Sequence, residues 1–203
     1  MFNPPSSLYR RPRLLNPLHA LGLVGAHSQT NDEELSSLAA HAKGRKVALE
    51  IGTHMGVSAA VIAKALGTAG QLFCVDPWEP VQGKENPCFS ICKREFRRQG
   101  VVASVVVVQG LSHEVEESLP KSFDFVFLDG DHSYEGLKRD WEIVLRRLAP
   151  GGVVCLHDTT IPAAEPNRQH GSVDYFDQVI SPSLEFELIE NCYSMNVLIR
   201  RHH

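Results

Sequence analysis

Residues 46–58 read Lys46-Val47-Ala48-Leu49-Glu50-Ile51-Gly52-Thr53-His54-Met55-Gly56-Val57-Ser58. A short apolar run closes on an acid, two glycines bracket a polar turn, and a stretch with helical spacing begins at Val57. Strand, glycine turn and helix in that order open a parallel sheet whose ligand lies over the turn. Apolar runs at 71–75, 103–108, 123–128 and 153–156 repeat the strand, and stretches at 57–66, 89–99, 114–119 and 134–148 repeat the helix. These strands are apolar almost throughout, so the sheet is covered on both faces and its pairing is parallel. The expected fold is a doubly wound α/β domain.

Working outward, the texture changes after Ile161-Pro162 to a loop, a short helix near 173–179 and two runs at 184–189 and 195–200. The pair is separated only by Asn191-Cys192-Tyr193-Ser194, close enough for a hairpin, so a mostly parallel seven-stranded sheet should finish with a last antiparallel strand. In the other direction, Asn31-Asp32-Glu33-Glu34 puts a side-chain acceptor and acids at a positive helix end. Leu35, Leu38, Ala39 and Ala42 follow at helical spacing, and Gly44 stops the helix. Residues 1–30 carry Pro4, Pro5, Pro12 and Pro17 with little periodicity and are expected as an irregular arm, leaving 31–203 as a single domain.

Composition sets the outer limits. The 203 residues are 43% hydrophobic and 22% charged, enough for one sizeable core without disulfides. Twenty Lys and Arg against 24 Asp and Glu give a net charge of −4, with basic runs no longer than Arg10-Arg11-Pro12-Arg13, so nucleic acid is not an expected partner. No apolar stretch approaches the roughly 20 residues that span a bilayer, and Met1 to Pro5 show no leader pattern, so a cytoplasmic protein without membrane contact is expected. The five cysteines, at 74, 88, 92, 155 and 192, are odd in number and should be reduced.

The ends of the strands carry the chemistry. Glu50 precedes the first turn, Val75-Asp76-Pro77-Trp78 closes the second strand, Leu128-Asp129-Gly130-Asp131-His132 the fourth and Leu156-His157-Asp158-Thr159 the fifth. A dinucleotide fingerprint would need Gly-x-Gly-x-x-Gly, and His54 stands where its second glycine belongs. Glu50 would also set a carboxylate beside a pyrophosphate, whereas it suits a cationic ligand. Asp76 can hold both ribose hydroxyls at the next strand end. The two acids together fit a phosphate-free, positively charged nucleoside.

These residues resemble a family. Glu50-x-Gly52-x-x-x-Gly56-x-Ser58 is similar to the first motif of class I S-adenosylmethionine-dependent methyltransferases, in the form of the catechol and caffeoyl-CoA type O-methyltransferases. Residues 123–134 with 148–159 resemble the small macrolide-sugar O-methyltransferases. The resemblance implies that Glu50, Gly52, Thr53, Gly56 and Ser58 serve the methionine end of the cofactor, Asp76 the ribose, and Trp78 with Ser112 and His113 the adenine. Asp129 and Asp158 would converge on a divalent cation, Mg²⁺ by default, with His157 as third ligand and a tilt toward Mn²⁺, Fe²⁺ or Zn²⁺ from its imidazole. His132, three residues after Asp129, falls where the family places its general base. The acceptor would be a small hydroxylated molecule, and a homodimer would cover the arm and last strands. Two other readings compete: a nicotinamide-dependent oxidoreductase, and a non-catalytic cofactor-binding protein on the same fold.

Overall fold

The apolar runs become strands because both sides of each find a partner layer. Ala48, Phe125, Phe127, Val153 and Cys155 point into one core, while Leu49, Val126, Leu128, Val154 and Leu156 point into the other, as the two-residue period of a strand demands. The computed structural model describes residues 6–167 and 169–202. Its strands are β1 (Val47–Ile51), β2 (Gln71–Asp76), β3 (Val105–Gln109), β4 (Phe123–Leu128), β5 (Leu148–Leu156), β6 (Phe186–Cys192) and β7 (Met195–Arg200). They form one seven-stranded sheet in the order β3-β2-β1-β4-β5-β7-β6. β1 to β5 pair in parallel, and β7 enters antiparallel between β5 and β6. The last strand of the chain is thus the antiparallel one, as its hairpin spacing predicts, but the sheet edge is β6. The order reverses at β1 and β4, opening the crevice in which such sheets bind ligands.

One face is covered by α4 (Val57–Leu66) and α5 (Pro87–Gln99), which bury Ile62, Ala63, Ile91 and Phe96. The other carries α7 (Tyr134–Arg147) and α8 (Gly171–Tyr175), with Leu137, Trp141, Ile143 and Tyr175 inward. α3 (Asp32–Ala42) starts at Asn31 with a full capping box: Asn31 accepts from the Glu34 N–H and Glu34 accepts from the Asn31 N–H.

Several boundaries differ from the sequence pattern. Residues 6–20 are not irregular: they hold α1 (Ser6–Tyr9) and α2 (Pro12–Ala20), with Pro12 in the first turn, where its missing N–H costs nothing, whereas 21–30 carry only turns and bends, as expected. α2 is held by burial of Leu15 and His19, and Arg98 of α5 faces the His19 ring at 2.9 Å. Pro4 and Pro5 lie outside the described residues. The expected helix at 114–119 is α6 (Ser112–Val115) continued by a 3₁₀ turn at Glu116–Ser118, and that at 173–179 is α8 continued by a π turn, Phe176–Ile180. β5 reaches back to Leu148 through a register irregularity opposite Phe123–Phe125, and Leu184, expected in a strand, is 87% exposed outside β6. All five cysteines are free thiols, as their number suggests. Among the described residues no helix is long and apolar enough to cross a membrane.

Candidate active site

A cavity of about 480 Å³ lies over the carboxyl ends of β1, β2 and β4. Its floor is the turn after β1. There Gly52 takes φ +96°, and a Cβ on it would stand 2.0 Å from the carbonyl oxygen of Asp129. Gly56 takes φ +81°, and its Cβ would stand 2.8 Å from both Cys92 Sγ and the Phe96 ring. The two glycines therefore let the turn press onto β4 and α5, a packing reason that adds to the expected close approach of a ligand. Gly52, Thr53 and Ser58 line the cavity, Ser58 in the first turn of α4, where free N–H groups and the helix dipole favour a carboxylate.

Asp76 lines the cavity with a fixed carboxylate: Oδ2 accepts from the His54 N–H at 2.8 Å and Oδ1 from the Trp78 N–H at 2.9 Å. Burial pushes its carboxyl up from the usual range, against these hydrogen bonds. His54 reaches this position only at φ +49°. Gly110, Leu111, Ser112 and His113 close the far side, and Ser112 Oγ donates to Asp140. Asp140, whose carboxyl burial pushes up to about 6, is a cavity residue that strand-end reading misses because it lies mid-helix in α7. His27, Ser28 and Gln29, from the supposed arm, also line the cavity.

Two residues expected at the cofactor lie outside the cavity lining. The Trp78 indole turns into the core at 2% exposure, stacked on Phe89 with Nε1 donating to the His54 carbonyl, and does not line the cavity. Glu50 is wholly buried beneath the turn, with both oxygens shielded, so it underlies the cavity instead of lining it. Burial pushes its carboxyl up to about 8, with Asp129 and Asp76 adding to the shift and Ser58 and Thr53 opposing it.

The ends of β4 and β5 come together as their neighbouring places in the sheet require. His132 Nε2 stands 3.7 Å from both Asp129 Oδ1 and Asp158 Oδ2, and its side chain is 30% exposed at the rim. His157 is nearly sealed: Nδ1 lies 2.8 Å from Asp129 Oδ1 and 3.5 Å from Asp158 Oδ1, and Nε2 lies 3.4 Å from Glu34 Oε2. Burial opposes a charge on this ring, but the flanking carboxylates overcome it and push the imidazole up to about 10. Asp129, His132 and His157 each offer one ligand atom within 4.8 Å of the others, and Asp158, at φ +55°, brings Oδ1 to 3.5 Å from His157 Nδ1 and Oδ2 to 3.7 Å from His132 Nε2. His170, unnoticed in the sequence because a loop delivers it, brings Nε2 to 3.6 Å from Asp158 Oδ2. Asp131 does not cap α7. Ser133 does, accepting from the Gly136 N–H, while Asp131 accepts from the Ser133 N–H.

A model of the methyltransferase domain family matches residues 49–159, from β1 through the end of β5. The chain belongs to that family. The dinucleotide reading of the first turn falls away with it. Among known proteins, the uncharacterized protein y4gI of Sinorhizobium fredii is 30% identical over 158 residues, which are 72% of this chain and 16% of that protein. Among solved structures, cofactor-bound Rv0187 from MTB superposes with a TM-score of 0.71 over 100% of both chains at 16% identity. The O-methyltransferase TomG from Streptomyces achromogenes, in complex with S-adenosylmethionine, gives 0.65 over 100% of this chain and 92% of its own at 18% identity. The domain has the Rossmann-like fold of those neighbours.

Proposed function

We propose that this methyltransferase moves the methyl group of S-adenosylmethionine to a hydroxyl oxygen of a small acceptor, assisted by a divalent cation. The observation that carries the reading is His132: a half-exposed imidazole at the cavity rim, facing two carboxylates that close β4 and β5. The cavity suits the cofactor. Asp76 presents an oriented carboxylate for a ribose, and the start of α4 offers donors for a carboxylate.

The donors at the rim suit a cation as well. Asp129, His157 and Asp158 would hold it, with His132 in reach, and the imidazole nitrogens favour Mn²⁺ over the Mg²⁺ that carboxylates alone suggest. Such an ion supplies a lowered hydroxyl pKa. His132 then takes the hydroxyl proton at Nε2 as the acceptor oxygen forms its bond to the methyl carbon, and the carbon–sulfur electron pair stays on sulfur, leaving S-adenosylhomocysteine. Asp129 and Asp158 hold the resulting charge on the imidazole by their proximity. TomG, named as an O-methyltransferase, supports oxygen as the acceptor atom by likeness of fold.

The test is transfer of labelled methyl from S-adenosylmethionine to a panel of phenols, catechols and sugars, with and without EDTA. Product with the wild type and a rate at least about a hundredfold lower for His132→Ala are expected, at unchanged S-adenosylhomocysteine affinity. Full activity of the variant would refute the base, and full activity in EDTA would refute the cation.

A further inference from the structure

We propose that Asp140 selects the base of the cofactor: its second oxygen, Oδ2, accepts an N–H of the exocyclic amino group of adenine, so the cavity takes an aminopurine nucleoside and turns away an oxopurine one. The inference rests on the reading of the cavity as the S-adenosylmethionine site. α7 is amphipathic, and Leu137, Trp141 and Val144 mark its inner face at spacings of four and three residues. Asp140 stands on that face at 5% exposure, where an apolar side chain would pack more favourably. A carboxylate in such a place needs a partner. The other buried charge of the helix, Arg147, has one, with Nε 2.9 Å from Glu116 Oε1. Asp140 has no such counter-ion: Arg139 beside it turns to Asp131 at 3.5 Å, and among the described residues no basic side chain comes within ion-pair distance.

Its Oδ1 accepts from the Ser112 hydroxyl, which ties the carboxylate to the cavity wall formed by Gly110, Leu111, Ser112 and His113. Its Oδ2 meets no donor among the described residues and is not sealed off. That oxygen lies across Gly130, where a Cβ would stand 3.0 Å from it, so the missing side chain at 130 leaves its surroundings open, and both residues line the cavity. The other parts of the cofactor have their places: its carboxylate at the start of α4, its ribose at Asp76. The base is left the wall that Ser112 and Asp140 share. Burial pushes the Asp140 carboxyl up to about 6, so near pH 8 it is ionised and can only accept. The amino group of adenine donates to such an oxygen. A carbonyl on the same ring carbon would set oxygen against oxygen with no proton between them, and the buried acceptor would go unpaired.

The test measures by calorimetry, near pH 8 and in the full chain, the affinities for S-adenosylhomocysteine and for S-inosylhomocysteine, which carries a carbonyl in place of the amino group. Their ratio cancels any general loosening of the site. The wild type should favour the adenosyl ligand by about a hundredfold. In Asp140→Asn, Ser112 can still donate to Oδ1, and the amide nitrogen replaces Oδ2, a donor for an acceptor. The ratio should then fall to about one or invert. A carboxylate that served only to hold Ser112 would weaken both ligands alike. A wild-type ratio near one, or an Asp140→Asn ratio equal to that of the wild type, overturns the proposal. Should Asp140→Asn not fold, Ser112→Ala, which removes the donor that aims the carboxylate, should lower the ratio by a smaller factor, and an unchanged ratio there overturns it equally. If the wild type binds neither ligand, the cofactor reading fails and the inference falls with it, whereas binding of both without discrimination refutes the role of Asp140 alone.

Discussion

Glu50 is an acid that the fold keeps protonated. Its carboxyl, pushed up to about 8 chiefly by burial, holds a proton that the unfolded chain releases near 4.5. Between those two values the native state binds more protons than the unfolded state, so raising the pH in that window lowers stability, and the loss levels off above the upper one. Gln in its place has the shape of the neutral acid and no proton to lose. Glu50→Gln should therefore match the wild type near pH 5 and exceed it in melting temperature by a margin that grows toward pH 8. A margin that stays flat across that range would mean that Glu50 is ionised in the folded protein. The motif reading placed this residue correctly at the end of β1 yet misjudged its surroundings, because a sequence does not say how deep a strand end lies beneath the turn that follows it.

At the scale of the element, the turn from β1 into α4 is over-determined. Gly52→Ala would force a left-handed backbone on a residue with a side chain and drive its Cβ into the Asp129 carbonyl at 2.0 Å, at a cost of about 3 kcal/mol or more. Gly100, left-handed at φ +71° with nothing within 4 Å of its virtual Cβ, isolates the backbone part. Gly100→Ala should cost about 1 kcal/mol. Chemical denaturation of the two variants measures the difference, and equal losses would show that the Asp129 contact yields freely. This turn was legible because its glycines are local. The helix α2 was not, since Pro12 and Pro17 read as breakers and its stability comes from contacts with α5, some 75 residues later in the chain. The strands showed themselves through unbroken apolar runs; their ends blurred where Pro150, Gly151 and Gly152 interrupt β5 without ending it.

For the whole molecule, the buried position of Leu15 makes the N-terminal helices part of the core and not an appendage. Leu15→Ala should lower global stability by about 2–5 kcal/mol in a single transition. A separate early transition, with the main midpoint unmoved, would show that the arm melts on its own. The same distinction explains what could be read of the site. Asp76, Asp129, His132 and Asp158 were legible because topology alone gathers strand ends at one edge. Glu34, Asp140 and His170 were not, since each arrives on a helix or loop whose docking depends on side chains far away in the chain.

The bonds from Ser194 to Glu34 join residues 160 positions apart. A chain made in order from its first residue can pair β1 with β2 early, but the Glu34 carboxylate beside His157 cannot settle until the β6–β7 hairpin has been synthesised and folded back onto α3. Until then Glu34 lacks two of its three hydrogen-bond donors and has only the cap. The contacts around the ends of β4 and β5 would therefore be completed late during biosynthesis, and a nascent chain stalled before Ser194 would carry most of the sheet with Glu34 still unfixed.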